Sequence, residues 1–173
     1  MLNNPRTMKP EPIRFICDEQ LGKLARWLRI IGQDVVYERE ISDPDLLERA
    51  GSEDRVVLTR DRSLCERAVG VSVICLQENY PALQLKEVVE LFGDRIKVRV
   101  FSRCVLCNAD VEEVEKSEVQ DKVPPFVYST QEKFTRCKVC GRIYWKATHR
   151  DRVEIQLRDV LGDLYPGSQE EEL

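Results

Sequence analysis

The chain has little that would place it in a membrane or outside the cell. Its 173 residues contain no apolar run near the roughly 20 residues that span a bilayer. Residues 1–12 lack the apolar core of a signal peptide. We therefore expect a cytoplasmic protein with no membrane partner, in which the cysteines are reduced. This length allows one domain, or one domain with a small added module.

Positive charge is also scarce overall, since the formal net charge is −4. That sum argues at first sight against a nucleic-acid partner, but the charge is unevenly distributed. Residues 134–152 have a balance of +5, whereas residues 108–133 have −4 and residues 153–173 have −5. A local basic cluster matters more for phosphate binding than the total does. The alternative is that residues 134–152 form only a solvated charged surface.

Two Cys-x-x-Cys pairs are the clearest motif, Cys104–Cys107 and Cys137–Cys140, with 29 residues between them. Each pair supplies two thiolates from one tight turn, and Zn²⁺ prefers four such ligands in tetrahedral geometry. The sequence therefore predicts a structural Cys₄ zinc site; redox or disulfide pairs are the alternative. The single histidine, His149, is a spare zinc ligand, a phosphate contact or structural.

Short apolar strands alternate with helices along residues 13–97, which predicts an α/β domain with a parallel sheet covered on both faces. Residues 1–12 are predicted to be a flexible arm and residues 98–152 a zinc ribbon module. A closing helix and an acidic tail are expected in residues 153–173. Residues 97–101 are predicted to form a strand that leads into the zinc module, and residues 108–133 are either a lobe or a flexible insertion.

Aspartates follow two of the predicted strands, Asp18 directly after the first and Asp61 shortly after the third. Asp43 begins the helix after the second strand, and Asp45 follows it. Because ligands of parallel sheets bind outside the carboxyl ends of the strands, these carboxylates should lie near each other. A hard ion such as Mg²⁺ or Mn²⁺ would relieve their repulsion and could activate water against a phosphodiester. Helix capping and loop solubility are the alternatives.

Several cations are predicted to contact nucleic acid. Lys23, Arg26 and Arg29 lie within a third of a turn on one helix, opposite its leucines, and form a basic stripe that begins beside the carboxylates. Arg60 precedes Asp61 and can clamp a phosphate. In the zinc module, basic side chains interleave with aromatic ones, which can stack bases or cover the metal. From that group we select Arg142 and Lys146.

These residues resemble a known family, the PIN-like ribonuclease domain with a C-terminal zinc ribbon that is named for the C-terminal part of the mut-seven exonuclease. The matching stretches are Asp18 with LGKLARWLR, Ser42-Asp43, LTRD, SRCVLCN, RCKVCG, YW and Thr148-His149. The resemblance implies a PIN-like sheet flanked by helices, a metal-dependent acidic site and RNA as substrate. By motif, Asp18, Asp43 and Asp61 match the acidic positions, with Glu19, Asp45 or Glu66 open as a fourth. The four cysteines match the zinc ligands.

The first hypothesis is therefore a Mg²⁺- or Mn²⁺-dependent ribonuclease whose zinc ribbon holds the substrate. The second is a non-catalytic RNA-binding adaptor with a degenerate acidic site. A third is a protein-binding module that docks through its acidic tail. DNA remains an alternative polymer, since RNA is distinguished from it only by contacts to the 2′-hydroxyl. The sequence does not indicate an oligomeric state.

Overall fold

A parallel four-stranded sheet forms the first part of the chain. The structure is a computed structural model and describes residues 12–146 and 148–166. The strands are β1 (Arg14–Cys17), β2 (Asp34–Tyr37), β3 (Val56–Thr59) and β4 (Val73–Cys75), in the spatial order β2-β1-β3-β4. All three pairings are parallel, with Phe15 opposite Val35 and Val56. The predicted α/β class and parallel sheet are confirmed.

A helix follows each of these strands, and the first three helices connect parallel strands of the sheet. They are α1 (Gly22–Ile30), α2 (Asp43–Ser52), α3 (Arg62–Arg67) and α4 (Pro81–Phe92). A 3-10 turn at Glu19–Leu21 precedes α1, and another at Gly93–Arg95 follows α4. Ser42 caps α2 by accepting a hydrogen bond from the Asp45 amide, and Pro44 lies in the first turn. Both features favour a helix start at this point.

Two hydrophobic cores lie on opposite faces of the sheet because side chains alternate along each strand. On one face Phe15 and Leu58 pack against α1 and α4. On the other face Ile16 and Val57 pack against Leu46 of α2 and other residues of α2 and α3. The sheet is therefore the middle layer of three, and the carboxyl ends of its strands share one edge.

The cysteine-rich part is a small antiparallel sheet of β5 (Val111–Val114), β6 (Phe134–Cys137) and β7 (Ile143–Trp145). The acidic interval is a folded lobe rather than an open loop: it contains a 3-10 turn at Lys116–Val119 and α5 (Pro125–Thr130). Val119, Val123 and Phe134 are buried together there. Trp145 packs against this cluster, so two of the aromatic residues serve the core of the lobe.

The last helix, α6 (Thr148–Leu161), is followed by a 3-10 turn at Gly162–Leu164. Leu157 and Leu161 are buried in the core beside α4, so α6 packs against the first domain. Residues 97–101 were predicted as a strand, but the chain is extended only to Arg99 and turns at Val100 and Phe101. The amides of Arg99 and Phe101 donate to the carbonyls of Ile31 and Ile30. Three parts of the prediction lie outside the described residues: the predicted arm except for Pro12, the side chain of His149, and the end of the acidic tail.

Candidate functional site

The four cysteine sulfurs converge where β6 meets the two tight turns. Their ligand atoms all lie within 4.8 Å of one another. The Sγ atoms of Cys104 and Cys140 are 3.7 Å apart, and those of Cys107 and Cys137 are 3.4 Å apart. Four sulfurs at 2.3 Å from one tetrahedral ion would be separated by about 3.8 Å. The cluster therefore fits a single Zn²⁺ held by four cysteines.

Hydrogen bonds already favour thiolates at two of these positions. Burial opposes ionisation of Cys104, but hydrogen bonds from the Cys107 backbone and the Tyr144 hydroxyl outweigh it and lower its pKa to about 6. The Tyr144 oxygen lies 2.9 Å from that sulfur. Burial likewise opposes ionisation of Cys137, but hydrogen bonds from the backbone amides of Cys140 and Val139 outweigh this effect, and the pKa of Cys137 is also lowered. Tyr144 thus orients a ligand, a role that the sequence did not reveal.

Arg29 attaches the first cysteine turn to β2 of the parallel sheet. Its side chain is only 6% exposed, and Nε and Nη2 donate to the Val35 carbonyl at 3.0 and 2.8 Å. Nη1 donates to the carbonyls of Val105 and Leu106 at 3.1 and 2.9 Å. Burial lowers the pKa of this guanidinium. The prediction that Arg29 belongs to an exposed basic stripe is wrong, because its donors are committed to interior carbonyls.

Asn108, directly after the first cysteine turn, makes a second attachment to β2. Its Oδ1 accepts from the Val35 amide at 3.0 Å, and its Nδ2 donates to Asp34 at 2.8 Å. Asp34 also accepts from Arg55 at 2.7 Å. Burial alone would raise the pKa of Asp34, but the hydrogen bonds from Arg55 and Asn108 hold it below the ordinary value. The first cysteine turn and the start of β2 are thereby joined into one polar network.

Asp18 and Asp61 meet at the carboxyl edge of the sheet through Thr59. The Thr59 hydroxyl donates to Asp18 Oδ2 at 2.7 Å and accepts from the Asp61 amide at 2.9 Å. Asp18 is 7% exposed, and its other oxygen accepts from the Gln20 amide at 3.4 Å. Asp61 caps α3 by accepting from the amides of Ser63 and Leu64. Each of these donors is neutral, so both carboxylates keep oxygen lone pairs for a hard cation.

Asp43 has a different partner. It lies in the first turn of α2, and its carboxylate forms an ion pair with Arg67 at the end of α3. Asp45 accepts from the Ser42 hydroxyl at 2.5 Å, within the cap of the same helix. Across residues 12–146 and 148–166, the four cysteines form the only group of three or more metal-ligating side chains this close together. Asp43 is therefore not part of such a group with Asp18 and Asp61.

The other predicted cations lie in two parts of the structure, near the parallel sheet and near the cysteine cluster. Lys23 and Arg26 are exposed on α1, which begins four residues after Asp18. Arg60 donates to Asn79, while its buried Nε has no hydrogen-bond partner among the described residues. In the zinc module Arg142 is exposed, and Lys146 forms an exposed ion pair with Asp151 at 3.4 Å.

Cys65 of α3 and Cys75 of β4 form a disulfide, with Cα atoms 6.1 Å apart. The expectation of reduced cysteines is wrong for this pair, because a short turn returns the chain from α3 to the neighbouring strand. The sulfur of Cys75 also lies 4.0 Å from the Asp61 carbonyl oxygen. Cys17 is fully buried, and burial raises the pKa of its thiol, as expected of a small apolar core residue.

None of the described helices is both long enough and apolar enough to cross a bilayer.

Comparison with curated proteins and with solved structures gave no match. The family model described as Mut7-C RNAse domain matches residues 13–157, which include both aspartates at the sheet edge and all four clustered cysteines. Because this match spans most of the chain, the protein belongs to the Mut7-C RNAse domain family.

Proposed function

We propose that the protein is a metal-dependent ribonuclease whose site lies at the carboxyl edge of the parallel sheet. The observation that carries this proposal is the pairing of Asp18 and Asp61 through the Thr59 hydroxyl. Family membership supplies the reaction class, since the matched domain is an RNAse domain. The hard oxygen donors fit Mg²⁺ or Mn²⁺, and we assign Asp18 and Asp61 as its ligands.

The bound ion would lower the pKa of a coordinated water and neutralise charge on the attacked phosphate. The protein's contribution is to hold two carboxylates in place and to bring RNA to them. Thr59 holds the Asp18 carboxylate at 2.7 Å and the backbone amide of Asp61 at 2.9 Å, which brings the two residues together at this edge. Lys23 and Arg26 present charge beside this edge and would hold backbone phosphates. Arg142, exposed on the zinc ribbon, would hold RNA further away.

The Asp43 carboxylate has two possible functions in this scheme. Its ion pair with Arg67 joins the first turn of α2 to the end of α3. If Arg67 releases it when substrate or metal binds, Asp43 can become a third ligand or orient the water. If the ion pair persists, Asp43 is structural. The variant Arg67→Gln separates these roles, because it frees Asp43 without removing its charge.

The test is Mn²⁺-dependent cleavage of single-stranded RNA by the wild-type protein and the variants Asp61→Asn and Asp18→Asn. Asparagine is an equally good helix cap, so Asp61→Asn should keep α3 folded. Loss of a group that orients a ligand typically costs 10- to 100-fold, and we expect at least about 100-fold for a ligand itself. The control is Asp121→Asn, which is exposed in the acidic lobe and should cleave as the wild type does. Equal cleavage by Asp61→Asn and wild type would remove this site assignment.

The ion pair of Asp43 favours a second candidate, an RNA-binding adaptor without catalysis, because Arg67 neutralises one of the three family carboxylates. An adaptor would bind RNA in a salt-dependent way that survives Asp18→Asn. Its affinity would fall when Arg142→Ala and Lys146→Ala are combined. RNA binding without cleavage in either Mg²⁺ or Mn²⁺ would favour the adaptor. Parallel assays with single-stranded DNA of the same sequence identify the polymer.

A further inference from the structure

A cleft of about 720 Å³ opens at the amino ends of the strands, on the opposite edge of the sheet from Asp18 and Asp61. Arg14, Asp34 and Val56, which begin β1, β2 and β3, contribute to its wall. The chain between residues 95 and 103 forms the other side. From Arg14 to Asp18 the strand covers about 13 Å, so the cleft is separate from the candidate active site.

The cleft is strongly cationic although the chain as a whole is acidic. Its wall contains five cationic side chains, Arg14, Arg95, Lys97, Arg99 and Arg103, and two acidic ones, Asp34 and Asp54. Asp34 is already bound by Arg55 and Asn108, and Asp54 lies 3.9 Å from Arg14. Within the described part of the chain, no carboxylate forms an ion pair with Arg95, Lys97 or Arg99.

These three cations form a row because the chain is extended from Ile96 to Arg99, directly after the 3-10 turn that ends at Arg95. Burial alternates along it: Arg95, Lys97 and Arg99 are exposed, while Ile96, Val98 and Val100 turn towards the core. Alternate residues of an extended chain are about 6.6 Å apart on one side. The row therefore spans about 13 Å.

Contacts with the end of α1 hold this row in position. The Arg99 amide donates to the Ile31 carbonyl at 2.9 Å, and the Gln33 side chain donates to the Lys97 carbonyl at 2.9 Å. Gly32 has φ +89°, and a Cβ there would lie 2.6 Å from the Arg99 carbonyl oxygen. Only glycine satisfies both the backbone conformation and this close approach. The spacing of the charges is thus built into the fold.

We propose that this cleft is a second RNA-binding site that holds the phosphate backbone of single-stranded RNA away from the point of cleavage. A row of separated charges suits a chain of phosphates better than one phosphate group, and a charged groove that tracks the backbone is how single strands are held without sequence preference. The choice of RNA rests on the proposed function, whereas the preference for a polyanion rests on the cleft alone. Short RNAs would occupy only one of the two edges.

The test compares a cleft triple variant with a control triple variant that removes equal charge from exposed lysines elsewhere. The cleft variant is Arg95→Gln, Lys97→Gln, Arg99→Gln, and the control is Lys86→Gln, Lys122→Gln, Lys133→Gln. Binding of a fluorescent 20-nucleotide RNA is measured by anisotropy from 50 to 200 mM salt, without added Mg²⁺ or Mn²⁺ so that no cleavage intervenes. Thermal melting and zinc content verify that both variants are folded.

For a single strand, each phosphate contact contributes about 0.7 to the slope of log affinity against log salt. Loss of three contacts should therefore reduce the slope by about 2, and the wild-type protein should lose about 20-fold more affinity than the cleft variant over this salt range. We expect the control variant to keep the wild-type slope. A 4-nucleotide RNA should bind the wild-type protein with a shallower slope than the 20-nucleotide RNA.

Equal slopes for the cleft variant and the control would overturn the proposal. So would displacement of the 20-nucleotide RNA by AMP at a matched phosphate concentration, which would make the cleft a nucleotide pocket. Cleavage is assayed separately with Mn²⁺. If cleavage is absent while the slope still falls in the cleft variant, the ribonuclease assignment fails and the polyanion site survives. If cleavage occurs and the slope is unchanged in the cleft variant, the polyanion site fails and the ribonuclease assignment survives.

Discussion

Replacement of Arg29 by methionine tests how the cysteine cluster is joined to the parallel sheet. Methionine keeps an unbranched apolar side chain of similar reach and removes every donor. Three carbonyl oxygens, of Val35, Val105 and Leu106, then lose their partner. A buried acceptor left unsatisfied costs about 1–3 kcal/mol. Water can replace the guanidinium at Leu106, which is 56% exposed, but not at the buried Val35.

We therefore expect Arg29→Met to lower the free energy of unfolding by about 3–5 kcal/mol. For a chain of this length that corresponds to a fall in melting temperature of roughly 10 °C. Hydrogen exchange at residues 104–108 should also accelerate, because the first cysteine turn loses one of its two attachments. The measurements are thermal melting and amide exchange of the zinc-loaded protein. Arg29→Lys keeps the charge but not the fork of donors, so its loss should be intermediate.

The matched control is Arg26→Met, since Arg26 is on the same helix and exposed. Surface changes of this kind usually stay within about 0.5 kcal/mol. If Arg29→Met instead melts like the wild-type protein and weakens RNA binding, the guanidinium faces RNA. The interior attachment derived from the structure would then be refuted.

Three further predictions concern the pH response, the disulfide and the zinc site. The pKa of Asp34 is lower in the folded protein than in the unfolded chain, so its stabilisation is complete above about pH 4 and is lost as the pH falls below that; acid titration of Asp34→Asn should show a shallower loss of stability there. Reduction of Cys65–Cys75, which are 10 residues apart, should lower the free energy of unfolding by about 2.5–3 kcal/mol, and Cys65→Ser should melt like the reduced protein. Tyr144→Phe removes the hydroxyl from Cys104 and should weaken zinc binding about 10-fold, as measured by competition with a chromophoric chelator, while unchanged affinity would contradict that role.

Local patterns in the sequence predict most of the first domain. Pro81–Phe92 has the bounds expected from its apolar spacing, and the cap at Ser42 begins α2 where expected. The cysteine cluster follows from spacing alone, because each Cys-x-x-Cys turn fixes two ligands locally. The acidic lobe was not predictable in detail: its core depends on Val119, Val123 and Phe134, which no single period connects.

Long-range partners explain what the sequence did not reveal. Arg29 lies about 120° around α1 from Lys23, at the border of the exposed face. Its side chain turns inward because it donates to carbonyls that lie 76 and 77 residues later in the chain. Helical spacing alone places it with Lys23. At the sheet edge the approach of Asp18 and Asp61 follows from strand order, but Thr59 between them does not. The ion pair of Asp43 with Arg67 likewise depends on how α2 and α3 pack beside each other, which the sequence does not reveal.

Thr59 has one further consequence for how the sheet edge meets an incoming ion. A hydroxyl has a single proton, and here it is directed to Asp18 while the oxygen is occupied by the Asp61 amide. The Asp18 carboxylate cannot rotate away without losing this bond. The Asp18 carboxylate is thus held by Thr59 and the Gln20 amide, and the Asp61 carboxylate by the amides of Ser63 and Leu64, before any cation arrives. In Thr59→Val the first encounter with a cation would carry the cost of ordering Asp18.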